Sequence, residues 1–319
     1  MSGFTVSGLT DYVKESYDDI LQAAILGADT IKNGGITVQA GIKHSEKLLL
    51  LDQTAPFQTD SGCGFNASGS TTFTNVTLTV TDLKWQDKWC PKDIEAKFIG
   101  QSLVAGSNYD TLPFEATIMK GVTDHIAAQL EQTIWQGDTA DVFDNNLKKF
   151  DGFLKKIDAG SPISATATAA VTKANVIGIM DDIYSLIPAQ LLNNPTKKMR
   201  AFTGWDNFRK LILALRDENN FHFDAGNAQS TGKLIMPGTG LEVMAVNGLN
   251  NIAGGNTSYD DRIICTYPSN LYYGTDLANE EEDARVWYSQ DDEDIKASIK
   301  WKSGTQVAYT TEVVEYSNS

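Results

Sequence analysis

Six apolar residues, Phe114, Ile118, Val122, Ile126, Leu130 and Ile134, recur at a strict spacing of four. That period belongs to an α-helix and to no strand. Asp110 or Thr111 suits the N-cap, Pro113 the first turn and Gly137 the end. A helix over 111–136 is about 36 Å long at about 1.5 Å per residue. Positions four apart drift about 40° per step on a helix of about 3.6 residues per turn, so the apolar stripe winds around it. Different elements must then cover it along its length. The row describes a spine rather than a bundle helix with one partner.

The segments around this helix are mostly extended. Residues 9–32 have a helical pattern through Leu9, Val13, Tyr17, Ile20, Leu21, Ala24, Ala28 and Ile31, stopped by Gly34-Gly35. This helix either packs on its own domain or docks on a neighbour. Residues 36–41 and 46–51 are strand-like, and a Gly/Ser/Asn-rich stretch from Asp60 to Ser70 follows. Beyond it, Val76, Leu78 and Val80 alternate with Thr77, Thr79 and Thr81 in a strand over 71–85. Two extended arms around a flexible tip predict a long β-hairpin, and such a hairpin needs a partner surface or stays marginal.

Residues 138–172 look linker-rich. Thr172 then caps a helix through Val176, Ile179, Met180, Ile183 and Ile187, which Pro188 closes. A strand over 198–203 runs into Thr203-Gly204-Trp205-Asp206, which resembles a capping box opening a helix with Phe208, Leu211, Ile212 and Leu215 inward. Strands over 241–246, 262–266 and 271–274 complete an α+β middle with helices flanking a sheet. At the C-terminus Ile295, Ala297, Ile299 and Trp301 alternate with Lys296, Ser298, Lys300 and Lys302. Ser303-Gly304 is expected to turn that strand into a hairpin returning through Val307, Tyr309 and Val313.

Charge and chemistry narrow the function. Of 319 residues, 26 are Lys or Arg and 41 are Asp or Glu, a net charge of −15, which argues against a surface built to grip nucleic-acid phosphates. No apolar run approaches the roughly 20 residues of a membrane helix, and no signal peptide is visible at Met1. Cys63, Cys90 and Cys265 form no CxxC, and His44, His125 and His222 lie far apart, so no disulfide framework, metal module or cofactor site is expected. GxSxG, HExxH and Walker A patterns are absent, and no enzyme activity is expected. Gly238-Thr239-Gly240 is expected to be a turn between two strands. The acidic stretch from Asp276 to Asp294 lacks the alternation of a calcium loop and reads as a solvated surface. Trp85 and Trp89 read as core or interface anchors.

Several segments are similar to a known family. Leu130-Glu131-Gln132-Thr133-Ile134-Trp135-Gln136-Gly137-Asp138, followed by Phe150-Asp151-Gly152-Phe153-Leu154, resembles the end of the spine helix in major capsid proteins of tailed bacteriophages. Gly232 to Leu249 is similar to the axial-domain sheet of that family. Asn270 to Asp276 and Val286-Trp287-Tyr288-Ser289 resemble its return into the peripheral domain. The resemblance covers roughly residues 110–319. Residues 36–100 match in role more than in residues.

The resemblance implies an α+β chain of the Hong Kong ninety-seven capsid type, with an N-arm, an extended β-hairpin loop, a peripheral domain with a long spine helix, and an axial domain. The corresponding boundaries are 1–35 for the N-arm and 36–100 for the extended loop and its flanking strands. The peripheral domain takes 101–165, the axial domain 166–275, and the return with its C-terminal hairpin 276–319. The implied function is self-assembly into hexamers and pentamers of an icosahedral virion shell, built in the host cytoplasm with portal and scaffolding proteins. Double-stranded DNA is enclosed without specific binding, and no membrane is involved. An encapsulin-type compartment is the alternative. Phe57, Phe65, Phe73, Trp85 and Trp89 are the expected subunit-interface residues, and Gly34-Gly35 and residues 61–70 the expected flexible joints. Only about 35 residues precede the first strand, too few for a scaffolding segment. Lys43 and Lys47 near the loop carry no match to the family's cross-linking chemistry.

Overall fold

The structure is a computed structural model that describes residues 27–59, 64–65, 67–90, 114–141, 144, 146–165, 169–194, 196–218, 232–252, 255–276 and 284–318. The expected helix before residue 27, Cys63, His222 and the run from Glu280 to Asp283 lie outside the described residues. A short helix α1 (Asp29–Lys32) ends in a glycine turn. The Gly35 N–H reaches the Thr30 carbonyl and the Gly34 N–H that of Ile31, with Gly34 at a φ of 67°. This 6→1 plus 5→2 pattern is a helix stop that favours glycine, so Gly34-Gly35 ends the helix as the sequence predicts.

Strand β1 (Thr37–Gln39) follows, then β2 (Ser45–Thr54), β3 (Ser70–Thr79) and β4 (Thr81–Trp89). The spine helix α2 spans Phe114–Gln136. Then come α3 (Phe153–Asp158), β5 (Ile163–Ser164), α4 (Val176–Leu186), α5 (Ala189–Leu192), β6 (Arg200–Thr203) and α6 (Trp205–Asp217). The chain closes through β7 (Lys233–Ile235), β8 (Glu242–Ala245), β9 (Ile263–Thr266), β10 (Leu271–Thr275), β11 (Ala284–Ser289), β12 (Asp294–Val307) and β13 (Val314–Tyr316).

A six-stranded sheet in the order β5-β13-β9-β6-β8-β7 stands at the centre. Its strands carry apolar side chains on both faces. Ala201, Val243 and Cys265 join one core with α4 and α6, while Phe202, Met244 and Ile264 join a second core with the spine helix. That second core also takes Tyr273, Ile295 and Ile299 from a second sheet, β1-β10-β12-β11, with β4 on the other side of β12. The result is a layered α+β fold in which the spine helix is covered from several sides, as its winding stripe requires. Along its length it touches α1, α3 and the turns at 147–149 and 247–249.

Four sequence expectations change here. The stretch 138–172 is not a linker, because Phe153, Leu154 and Ile157 of α3 are buried against the spine helix core. Helix α4 begins three residues later than expected, capped at Asn175, whose side-chain oxygen accepts the Thr172 N–H at 2.7 Å. The capping box at Thr203 does not form. Thr203 ends β6, and Gly204 is the cap because a Cβ there would lie 2.4 Å from the Leu249 carbonyl oxygen. Asn250 caps α6 instead, its Oδ1 accepting the Trp205 N–H at 2.6 Å.

The fourth change is the C-terminal hairpin. Strand β12 runs without a turn through Ser303-Gly304 as one 14-residue strand. Gly304 is needed for a close approach: a Cβ there would fall 2.0 Å from the Thr79 carbonyl oxygen at the β3–β4 junction. After β12 the chain passes to β13 in the other sheet rather than returning alongside itself. The partners of β12 are β10, β11 and β4, all antiparallel. The expected turn at Gly238-Thr239-Gly240 does join two antiparallel strands, β7 and β8, with Gly238 and Gly240 at positive φ.

Candidate assembly surface

Strands β2 and β3 pair antiparallel over their full length, from Ser45 opposite Thr79 to Thr54 opposite Ser70. This is the expected long hairpin, and it is a two-stranded ribbon on its own. Residues directly opposite share a face. Leu51 sits across from Phe73 and Leu49 from Asn75, which places Leu49, Leu51 and Phe73 together on one face. All three are exposed, Phe73 and Leu49 each at 63%. On the other face Leu48 opposes Val76 and Leu50 opposes Thr74, and these apolar side chains are half-buried. The ribbon is therefore apolar on both sides, and none of the described residues covers its exposed face at the outer end.

Its root is fixed. Leu78 and Val80 pack with Ile42 in a small buried cluster, with Leu48 and Tyr272 against it. Two glycines let the sheet come close at that point: Gly274 lies against the Leu78 and Ile42 side chains, and Gly304 against the Thr79 backbone. The hairpin is thus held at one end by packing, and among the described residues most of its length is exposed.

The five expected interface residues divide by position. Phe57 and Phe65, near the ribbon tip, are 104% and 96% exposed, and Phe73 lies on the exposed face. Trp85 and Trp89 stack with ring centroids 6.2 Å apart on β4. They are half-buried and pack against the core under β12. The structure brings the three phenylalanines to the ribbon and sets the two tryptophans apart from them. Leu49 and Leu51 complete the exposed patch. Their signal was the apolar run from Leu48 to Leu51, since a strand can bury only alternate members of such a run.

The chain leading to the ribbon is anchored on the spine helix by a buried carboxylate. Glu131 accepts hydrogen bonds from the Thr30 N–H at 3.0 Å and from the Thr30 hydroxyl. Trp135 Nε1 donates to the same hydroxyl at 2.8 Å. Burial raises the Glu131 carboxyl to about 7, the bonds from Thr30 and the Gly248 backbone pull against that, and Asp29 adds to the rise. A Cβ on Gly248 would lie 2.3 Å from the Trp135 ring, so only glycine fits over this junction. Gly35 is packed equally close to Phe202 and Thr30. Nothing in the residue spacing announced this junction, because Thr30 and Glu131 are 101 residues apart.

A second polar junction follows the spine helix. Lys155 bridges Asp138 and Asp151, the latter at 2.8 Å. Burial would raise the Asp151 carboxyl, yet the hydrogen bonds from Lys155 and Thr139 hold it at about 2. These charges tie α3 to the helix end. Cys265 is buried, which pushes its thiol up to about 12 and leaves it inert, while Cys90 is exposed. Among the described residues no group of three or more His, Cys, Asp or Glu could hold a metal, and no helix is long and apolar enough to cross a membrane.

No family model matches the chain, and no curated protein does. Solved structures do. A chain of the capsid of an empty GTA particle is 12% identical and superposes with a TM-score of 0.59, covering 92% of this chain and 89% of that one. The capsid of the Myoviridae phage XM1 gives 13% identity and a TM-score of 0.59, over 91% and 92% of the two chains. The capsid of cyanophage P-SCSP1u gives 12% and 0.54, over 89% and 86%. The chain has the fold of these phage capsid subunits over almost its whole length.

Proposed function

We propose that the chain is the major capsid protein of a tailed phage, a structural subunit that assembles with copies of itself into an icosahedral shell around double-stranded DNA. The observation that carries this reading is the β2–β3 ribbon, rooted in the subunit and apolar on both faces, with Leu49, Leu51 and Phe73 uncovered by the described residues. The shared fold with phage capsid subunits supports it. Covering a large apolar side chain contributes about 1.5–3 kcal/mol. Phe73, Leu49 and Leu51 on a neighbour therefore supply several kcal/mol per ribbon, and a shell multiplies such contacts through effective concentration. Hexamers and pentamers with an N-arm, extended loop, peripheral and axial domain belong to this reading, as do portal and scaffolding proteins. The net charge of −15 fits a wall that encloses DNA without gripping it.

Deletion of residues 60–70 tests the assignment. The deleted subunit is expected to keep its far-UV circular dichroism and cooperative unfolding while electron microscopy finds no shells. Shells of normal size from the deleted chain would refute the role of the loop. Nuclease-protected DNA in particles of the full chain separates a virion shell from a protein compartment that carries none.

A further inference from the structure

The strand β12 has a second side. Ile295, Ala297, Ile299 and Trp301 face the core, so Lys296, Ser298, Lys300 and Lys302 face away from it. The register places further cations beside them. On β4, Lys88 lies directly across from Lys296 and Lys84 directly across from Lys300. On β11, Arg285 lies across from Ser298 and the exposed Trp287 across from Lys296. Like charges directly opposite on neighbouring strands destabilise a sheet. Some of this charge is balanced within the chain: Lys88 meets Asp294 at 3.1 Å, Lys296 meets Asp292, and Lys302 lies 3.6 Å from Asp276. Lys84 and Lys300 are exposed and have no ion-pair partner among the described residues.

A face on which, among the described residues, two ammonium groups in register have no carboxylate partner suits an anion from outside. Six of the chain's 26 cations stand on it together with Asp82 and Asp294, leaving 20 cations against 39 of the 41 carboxylates for the rest of the chain. The rest of the chain is thus acidic on balance. We infer that this face of the sheet, centred on Lys84 and Lys300, docks a carboxylate-bearing surface of a second copy of the chain. This rests on the shell-forming reading above. A continuous phosphate backbone fits less well, because laid along β12 it meets Asp294 at one end and Asp82, across from Lys302, at the other. A discrete carboxylate over the Lys84–Lys300 pair meets neither. Complementary charge of this kind sets register and choice of partner more than raw affinity.

The test compares the full chain with Lys300→Glu and Lys300→Arg. Lys300→Glu places a carboxylate across from Lys84, so the isolated subunit is expected to melt at the same temperature or slightly higher. Its assembly is expected to need a roughly tenfold higher subunit concentration, whereas Lys300→Arg assembles as the parent does. Parent assembly should weaken as salt rises from about 0.1 M to about 1 M, and Lys300→Glu should lose most of that dependence. Carbodiimide coupling in shells made from mixed nitrogen-14 and nitrogen-15 subunits should join Lys84 or Lys300 to a carboxylate of the other isotope.

Assembly of Lys300→Glu at the parent concentration, or coupling confined within one chain, overturns the inference. So does a variant whose empty shells form normally and which loses only DNA retention, since that assigns the face to phosphate. If the parent chain forms no shells, the capsid reading itself fails and this inference falls with it.

Discussion

In the six-stranded sheet, Phe202, Met244 and Ile264 point to the spine helix while Ala201, Val243 and Cys265 point to α4 and α6, and all six are buried. In the β2–β3 ribbon, Leu49, Leu51 and Phe73 point one way and Leu48, Leu50 and Val76 the other, and all six keep contact with solvent. The two regions use similar residues on both faces of a pleated surface. They differ in what stands above and below. The central strands are short, between two and four residues, and helices reach across them on one side and a second sheet on the other. The ribbon strands run ten residues each, well beyond the cluster at Leu78, and most of their length is left exposed by the described residues. The contrast teaches that two-sided apolarity is not by itself a sign of a core. In one region both faces are buried within the subunit, and in the other both keep contact with solvent.

The sharpest way to break the contrast is to hollow the covered side. Trp135 is fully buried, with ring centroids 5.3 Å from Phe153 and 5.4 Å from Phe202. Trp135→Ala removes that packing and its hydrogen bond to Thr30, and urea unfolding should show a loss of about 3–5 kcal/mol. The acid–base behaviour of the same junction comes next. With its carboxyl near 7 in the folded chain and an ordinary value of 4.5, Glu131 stays protonated over a range where the unfolded chain has released the proton. Stability is therefore full below about pH 4.5 and falls as pH climbs to about 7, by up to about 3 kcal/mol. Glu131→Gln should flatten the profile in that window; an unchanged slope would assign it to another group.

Gly304→Ala probes the seam between the regions. A methyl group pressed on the Thr79 carbonyl should cost about 1–3 kcal/mol and loosen the ribbon root, read as faster hydrogen exchange at Thr79 and Val80. The smallest effect on the subunit is expected on the bare side. Phe73→Ser should change its unfolding free energy by less than about 0.5 kcal/mol, because none of the described residues covers that ring. The same change should raise the concentration needed for shells, measured by sedimentation. A large loss of subunit stability would mean that the ribbon is covered from within and would dissolve the contrast.

Much of the architecture was legible. The spine helix stood out because six side chains kept one period, and the ribbon because its alternation flanked a Gly/Ser-rich tip. The turn at 238–240 was legible from its glycines. The errors share a physical cause. Ser303-Gly304 has the composition of a turn, but Gly304 answers a backbone oxygen from a strand more than 200 positions earlier. Thr203 has the look of a cap, but the capping oxygen comes from Asn250 across the layer. The stretch before α4 looked like a linker because Phe153, Leu154 and Ile157 form too short a row to show a period. Of the candidate surface, the exposure of Phe57, Phe65 and Phe73 was legible from aromatics placed on a long hairpin. The separation of Trp85 and Trp89 from them was not, since strand alternation does not say which face meets a core.

What the sequence by itself determined is local: the period of the spine, the pairing of two extended arms, the helix stop at Gly34, and an acidic balance that disfavours gripping phosphate. These follow from dihedral preferences and from side-chain spacing along a few turns of chain. The tertiary structure alone decided the rest. It put Thr30 on Glu131, drew Gly304 under Thr79, set Lys84 opposite Lys300, and left the ribbon uncovered by the described residues while burying equally apolar strands of the central sheet. Each of these depends on which distant segments share a neighbourhood, and burial, dielectric and charge repulsion act through space rather than along the chain.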